Sequence, residues 1–335
     1  MKKAPLLAAA LAAVILVTWL GVAAVSMVMA TPAESFTEPA IVTFAPGTSS
    51  RAMAAELESR GVIRSQWSFL LLRAVRPRAN LLAGEYEFEQ PVSALRAFQK
   101  IARGEVLYHA ITVPEGLNRF EVAEAVAKSG LVDRDEFLKI TEDPRRIAAE
   151  FPEAKSLEGF LFPETYYLSR PVTAEKLIDM MLARFQKVFS EVTQGSDTRL
   201  QPYDLVTLAS LVEKETSLPA EQGLVASVFH NRLRIGMPLQ CDPTVIYGLV
   251  LQQRYRGRLY TADLRDPHEY NTYVHSGLPP GPIANSGRGA LEAAARPAES
   301  DYLYFVARAH GSEGHSFSKS LAEHNQAVAA YRKTQ

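Results

Sequence analysis

The sequence predicts an α+β protein with an N-terminal apolar helix, two small strand–helix–helix modules, and a mainly helical second half closed by a strand pair. Three observations support this prediction. An uncharged run extends from Ala4 to Ala33. Two segments offset by 69 residues share the order strand, turn glycine, helix and helix-stop glycine. Beyond residue 173, apolar side chains recur at helical spacing.

The apolar run follows Lys2 and Lys3 and is longer than the roughly 20 residues that cross a bilayer. A cleaved signal peptide is the alternative, because residues 28–30 form an acceptable cleavage site, but such peptides have an apolar segment of only about 7–15 residues. We therefore expect an uncleaved anchor. The two lysines place the N-terminus in the cytoplasm and everything after Thr31 outside it.

Each of the two repeated modules alternates short strands with helices. Gly47 and Gly116 occupy equivalent turns, and Gly61 and Gly130 end equivalent helices. A module of this kind holds an extended ligand or serves only as a structural platform, and the sequence leaves both open. The predicted elements of the two modules are strands at 41–44, 82–88 and 110–113 and helices at 50–60, 66–74, 93–103, 119–129 and 135–141.

The second half contains little strand pattern before its end. Between residues 254 and 289, glycine and proline are frequent and no regular element is predicted. A short helix is expected to begin at Pro243 with Asp242 as its cap. The other predicted elements are helices at 173–192, 204–216, 220–235 and 320–331 and strands at 302–307 and 315–317. The predicted segments are 1–38 (cytoplasmic N-terminus, anchor and linker), 39–109, 110–172 and 173–335.

Composition excludes several functions. The 335 residues carry a net charge of −1 without a clustered basic face, so no nucleic-acid partner is expected. Cys241 is the single cysteine, and an intrachain disulfide is therefore impossible. The sequence contains neither a phosphate-binding loop nor a nucleophile elbow.

The helix at 204–216 ends in two glutamates with different surroundings. At about 100° per residue, Glu215 projects within about 40° of Leu208 and Leu211, on the apolar stripe. Glu213 points about 160° away from it. A carboxyl group on an apolar stripe is expected to have a raised pKa, as a general acid requires. The alternative is that Glu215 turns to water at the end of the helix.

Four segments in this region carry a resemblance. They read LASLVEKET at 208–216, VASVFHNRL at 225–233, LQCDPTV at 239–245 and YNTYVHSGLPPG at 270–281. In this order they resemble the endolytic murein transglycosylases (the MltG or YceG family), and the resemblance extends over nearly the whole chain. Two positions depart from the family pattern, Cys241 in place of a small hydroxyl residue and Ser286 in place of a proline. We expect neither to touch the catalytic acid.

The resemblance implies a bacterial inner-membrane, single-pass enzyme whose catalytic part lies in the periplasm. Such an enzyme cuts the MurNAc–GlcNAc bond within peptidoglycan strands, leaves 1,6-anhydro-MurNAc ends and terminates the elongation of nascent strands. Segment 39–109 then corresponds to a LysM-like module, 110–172 to a related second module or connection, and 173–335 to the catalytic domain. Penicillin-binding proteins are implied partners.

The resemblance assigns the catalytic role to Glu215, the residue that the helical spacing selects. It acts first as acid and then as base, so the reaction needs no metal or cofactor. The predicted substrate-binding residues are Asn231, Gln240, Asp242, Tyr247, Asn271 and Tyr273. Two alternatives stay open: a muramidase that hydrolyses the same bond with Glu215 and Asp242, and a non-catalytic peptidoglycan-binding scaffold.

Overall fold

The structure of the chain, a computed structural model, describes residues 3–32, 36–308 and 313–333. Its contacts divide the chain into two compact units, Met1–Ala110 with Tyr167–Val172, and Ile111–Tyr166 with Thr173–Gln335. The mixture of helices and short strand pairs confirms the predicted α+β class. Part of the predicted linker, residues 33–35, lies outside the described residues.

The first helix, α1 (Lys3–Met29), contains the candidate membrane span Leu11–Met29. The mean hydropathy of this span is 2.4, and its most apolar window is not buried within the structure. By length and composition the helix is able to cross a membrane, although a signal sequence would satisfy the same two criteria.

The first unit is built on two strands, β1 (Ala40–Phe44) and β2 (Gly84–Phe88). They pair antiparallel, from Ala40 opposite Phe88 to Phe44 opposite Gly84. Three helices complete this unit, α2 (Ser50–Ser59), α3 (Gln66–Val75) and α4 (Ala94–Arg103). Serine side chains cap all three by accepting backbone N–H groups, and the buried core includes Phe44, Leu57, Phe69, Tyr86 and Phe98.

The internal repeat is visible in the backbone. The second copy consists of β3 (His109–Thr112), α5 (Arg119–Ala127) and α6 (Arg134–Thr141). All four of the predicted turn and stop glycines have positive φ, namely Gly47, Gly61, Gly116 and Gly130. Most of this second copy belongs to the second compact unit. A further strand, β4 (Thr165–Leu168), pairs with β3 and was not predicted.

The second unit is mainly helical. Its elements are α7 (Ala174–Thr193), α8 (Pro202–Glu215), α9 (Pro219–Arg234), α10 (Asp242–Leu251), α11 (Arg288–Ala295), the antiparallel strands β5 (Tyr304–Ala307) and β6 (His315–Ser318), and α12 (Leu321–Arg332). Short 3-10 turns occur at Pro144–Arg146 and Asp263–Arg265. The predicted C-terminal strand pair is confirmed.

Helix α11 was missed by the sequence analysis, which expected no regular element before residue 289 and none directly after it. This helix lies among α7, α8 and α9 and buries Leu291 and its alanines on several sides. Arg288 and Glu292 share its less buried face, but a helix of eight residues directly after a Gly- and Pro-rich segment is too short for a helical period to be recognised in the sequence.

Glu158 is a fully buried carboxyl group that joins separate segments of the second unit. Both of its oxygens accept the backbone N–H of Arg119, at 3.0 and 2.9 Å. The hydroxyl of Tyr247 donates to it at 3.0 Å, and the side-chain amide of Asn285 donates at 3.2 Å. Burial raises the pKa of Glu158 to about 7, although these donors lower it. Helix α10 and the segment before α11 are thereby attached to the start of α5.

We predict that Glu158→Ala destabilises the protein by about 3 kcal/mol, because it leaves buried donors on Tyr247 and Asn285 without an acceptor. Urea unfolding of both proteins measures the difference. Glu136→Ala removes an exposed carboxyl group and is the matched control. Equal midpoints for the Glu158 variant and the wild type would contradict the structural role of this network.

Candidate active site

A cavity of about 270 Å³ lies where α8 ends and α10 begins. Its lining combines a few charged and polar groups with aromatic rings, as ligand sites usually do. The lining residues are Glu215, Phe229, Arg232, Leu239, Gln240, Asp242, Tyr273, Phe305 and His324.

Glu215 is the last residue of α8, and its side chain forms part of the cavity wall. Burial raises the pKa of the Glu215 carboxyl group, and the nearby Asp242 carboxylate raises it further. A hydrogen bond with Cys241 and the charges of His315 and Arg232 act in the opposite direction. A partly buried carboxyl group that faces a cavity is suited to proton transfer.

The expectation that Cys241 does not touch the acid was wrong. Cys241 is buried directly before α10, and its thiol hydrogen-bonds with Glu215. Burial raises the pKa of this thiol well above its usual value, and the charge of Glu215 raises it further. The thiol therefore stays protonated and serves as a donor to the carboxyl group.

Asp242 does not cap α10 as predicted. It is the first residue of the helix, no side chain caps this terminus, and its carboxylate accepts the hydroxyl of Tyr273 at 2.6 Å instead. Burial, followed by this hydrogen bond, raises the pKa of Tyr273. The contact ties the start of α10 to the loop at 270–281 and brings two predicted site residues together on one side of the cavity.

Gln240 is the third predicted residue that lines the cavity. Its backbone has a left-handed conformation with φ of 51°, which is uncommon outside glycine. The backbone N–H donates to the carbonyl of Thr272 at 3.1 Å, and the side chain stays exposed. Its exposed side chain lies at the cavity, where a ligand can contact the amide.

Three predicted residues lie outside the cavity lining. Asn231 donates to the backbone carbonyls of Ser300 and Tyr302 at 2.9 and 3.0 Å. Asn271 is buried and donates to the carbonyls of residues 264 and 266. Tyr247 is buried and donates its hydroxyl to Glu158. Their hydrogen bonds account for them structurally, and a direct role in substrate binding stays a prediction.

Arg232 and His324 line the cavity and were not predicted. Arg232 is buried, donates to the carbonyls of Leu303 and Leu239, and has its pKa lowered by burial. The ring of His324 stacks on Tyr304 with centroids 5.1 Å apart, and its buried Nδ1 has no hydrogen-bond partner among the residues that the structure describes. Burial, followed by the charge of Arg232, lowers the pKa of His324.

A sequence signal existed for Arg232, since it lies three residues after Phe229 and seven after Val225, on the apolar stripe of α9. A charged side chain on such a stripe was the feature that selected Glu215. His324 lies on a helix distant in sequence, and no comparable pattern marks it.

The argument that separated Glu213 from Glu215 had a wrong premise. All residues from Leu205 to Val212 are buried, so α8 has no single apolar stripe. Burial raises the pKa of Glu213 to about 7, and the charge of the neighbouring Glu115 raises this pKa further. The N–H of Gly287 donates to the Glu213 carboxylate at 3.1 Å, and this hydrogen bond lowers the pKa. The two glutamates differ in that only Glu215 lines the cavity.

The chain was compared with known proteins. A model of the YceG-like family matches residues 42–330. A Bacillus subtilis protein named endolytic murein transglycosylase is 34% identical over 304 residues, covering 85% of this chain and 82% of that protein. A Streptococcus pneumoniae protein of the same name is 29% identical over 315 residues, and the match covers 83% of this chain and 57% of the pneumococcal protein. A crystal structure of a YceG-like protein from Listeria monocytogenes matches with a TM-score of 0.57 and 32% identity, covering 86% of this chain and 99% of that one.

The raised pKa of Glu213 predicts a pH-dependent stability. Its pKa is about 7 in the folded protein and 4.5, the ordinary value for glutamate, in the unfolded chain, so the folded state binds the proton more tightly. This contribution to stability is complete below pH 4.5 and is lost as the pH rises through about 7. We expect Glu213→Gln to gain stability relative to the wild type between pH 5 and pH 8.

Urea unfolding of wild type and variant at both pH values measures this difference. Glu136→Gln is the control, since Glu136 is exposed. A stability difference for Glu213→Gln that is the same at both pH values would show that Glu213 does not titrate in this range.

Proposed function

This chain belongs to the YceG-like family, and we propose that it is an endolytic lytic transglycosylase of peptidoglycan, a carbon–oxygen lyase. The observation that carries the proposal is Glu215, which the family resemblance marks as catalytic. Its carboxyl group lines a cavity and has a pKa raised by burial. The relatives from Bacillus and Streptococcus named endolytic murein transglycosylase support the substrate and the reaction.

In the first step of the proposed reaction, protonated Glu215 donates its proton to the oxygen between MurNAc and GlcNAc. The bond from MurNAc C1 to that oxygen breaks, and GlcNAc leaves with a hydroxyl group. The oxocarbenium-like charge at C1 is trapped by the N-acetyl oxygen of the same MurNAc, the substrate-assisted route. A raised pKa favours this step, because the acid must hold its proton until substrate binds.

In the second step, the Glu215 carboxylate takes the proton from the 6-hydroxyl of MurNAc. That oxygen bonds to C1, displaces the N-acetyl oxygen and produces the 1,6-anhydro end, while Glu215 regains its proton. No water takes part, so no second carboxylate is needed to activate one. The thiol of Cys241 donates to Glu215 and would stabilise the carboxylate present between the two steps.

The remaining polar lining would orient the sugars. Gln240 offers an exposed amide, and the Asp242–Tyr273 pair offers a carboxylate held by a hydroxyl group. The charge of Arg232 favours the ionised form of Glu215. Asn231, Tyr247 and Asn271 would then act by supporting the segments around the cavity, in line with their hydrogen bonds to protein groups.

A muramidase is the second candidate reaction, and one observation favours it. Asp242 lines the same cavity as Glu215, and its charge raises the pKa of that carboxyl group, so the two carboxyl groups are electrostatically coupled. A hydrolase would use Asp242 to activate water. Since Asp242 already accepts the Tyr273 hydroxyl, we favour the transglycosylase.

The proposal includes the location and organisation of the chain. Helix α1 would anchor it in the inner membrane by a single pass, with the catalytic part, 173–335, in the periplasm. The order β1–α2–α3–β2 with antiparallel strands supports a LysM-like module within 39–109, a fold associated with N-acetylated glycans. Segment 110–172 would be a related module or connection. Penicillin-binding proteins would be partners, with cleavage ending the elongation of nascent strands.

We predict that purified glycan strands gain 1,6-anhydro-MurNAc ends with the wild-type protein and that Glu215→Gln lowers the rate about 100-fold or more, because the amide has no proton to transfer. Mass spectrometry of the products measures both. Glu213→Gln is the matched control two residues away and is expected to retain most activity, since its side chain lies outside the cavity lining.

Each other outcome would replace the proposal. Reducing MurNAc ends without anhydro ends would establish the muramidase and give Asp242 the role of base. Equal losses in both glutamine variants would contradict the assignment of the acid. The scaffold would be favoured if the wild type bound glycan without cleaving it and if Glu215→Gln left the cell-wall phenotype unchanged.

A further inference from the structure

A second cavity in the same compact unit, with a volume of about 860 Å³, has no role in the reaction described above. The segment between α7 and α8, one side of α9 and the segment after α11 form its walls. Three of its lining residues are arginines, Arg199, Arg234 and Arg296. Its volume is in the range of sites that hold small ligands.

The three arginines have no carboxylate partner within residues 3–32, 36–308 and 313–333. Arg234 donates to the side-chain oxygen of Asn231 at 3.3 Å, and Arg296 donates to the carbonyl of Gln194 at 2.7 Å. Arg199 makes no hydrogen bond or ion pair within the described part of the chain. Guanidinium groups bind carboxylates through paired hydrogen bonds, so this cavity offers sites for an anionic ligand.

The cavity also contains carboxylates, which narrows the choice of ligand. Asp197 and Glu299 line it and are exposed. Two carboxylates would repel a dense polyanion such as a diphosphate, but they suit a ligand that carries ammonium as well as carboxylate groups. The lining therefore favours a zwitterionic molecule.

Helix α9 connects this cavity to the candidate active site. Phe229 and Arg232 line the cavity that contains Glu215, whereas His230, Asn231 and Arg234 line the second one. A helix with its side chains is about 10–12 Å wide. The two sets of side chains project from opposite faces of α9, so a ligand joined to a sugar at Glu215 needs to run around the helix, over about 16–19 Å, to reach the arginines.

We propose that the second cavity binds the peptide stem attached to the MurNAc whose bond is cleaved at Glu215, an inference that rests on the proposed function. The stem contains free carboxylates and, in its diamino acid, an amino group. About five residues at roughly 3.3–3.6 Å each cover the path around the helix. Arg199, Arg234 and Arg296 bind its carboxylates. Asp197 and Glu299 bind its ammonium group.

The test compares two substrates, glycan strands with intact stems and strands from which an amidase has removed them. The full chain and its Arg199→Gln, Arg234→Gln, Arg296→Gln triple variant are assayed for kcat/KM on both. We expect the wild type to prefer stem-bearing strands and the triple variant to lose about tenfold on them. Activity on denuded strands is expected to stay unchanged, which also reports that the variant is folded.

Arg51→Gln, which removes an exposed arginine of α2, is the control for a general loss of positive charge. An unchanged preference in the triple variant would overturn the proposal, as would equal losses on both substrates. If the wild type cleaves neither substrate, the proposed function fails. The stem site is then judged separately, by titrating free stem peptide and sodium diphosphate into the Glu215→Gln protein with and without the three arginine changes.

Binding of the stem peptide that the arginine changes weaken about tenfold would support the site independently of catalysis. Binding of diphosphate alone would identify an anion site of another kind and overturn the proposal.

Discussion

The candidate active site depends on a carboxyl group that takes no part in it. Glu158 is fully buried and accepts hydrogen bonds from Tyr247, Asn285 and the backbone of Arg119. Asn285 in turn accepts the N–H of Leu161 and donates to a carbonyl before α5. These contacts hold α10, whose first residue lines the cavity. They also hold the segment at 283–287, whose N–H groups at Ile283 and Gly287 donate to side chains of α8. The network therefore connects the helix that carries Asp242 with the segment that contacts the helix carrying Glu215.

Three glutamates of the second unit have a raised pKa, and burial is the main cause in each case. Their surroundings separate them. Glu158 has donors on both oxygens and serves as a structural acceptor, and Glu213 accepts the N–H at the start of α11. Glu215 faces an open cavity, with the Cys241 thiol as its donor. A raised pKa alone therefore does not identify a general acid, and access to a ligand makes the difference.

The local parts of this structure were predictable from sequence, because local chemistry determines them. The helices predicted to begin near residues 93 and 320 are present, with Ser93 and Ser320 as their caps, and the repeated glycines adopt positive φ. Contacts between distant segments were not predictable. The thiol of Cys241 reaches Glu215, and the hydroxyl of Tyr247 reaches a residue 89 positions away. Helix α11 likewise has only eight residues, too few for a helical period to be recognised in its sequence, and its packing among three helices had to come from the structure.

Helix α9 forms a wall of two cavities, one containing Glu215 and the other lined by arginines. A helix is stiff, so the separation of the two cavities is constant. In a glycan strand, two sugars alternate and only one of them bears a peptide. A constant separation between the reacting carbon and a peptide pocket would fix the alignment of the bound strand. The strand would then fit only when C1 of a MurNAc, the sugar that bears the peptide, lies at Glu215. The choice between two chemically similar linkages of a repeating polymer would then be geometric, set by the distance around one helix.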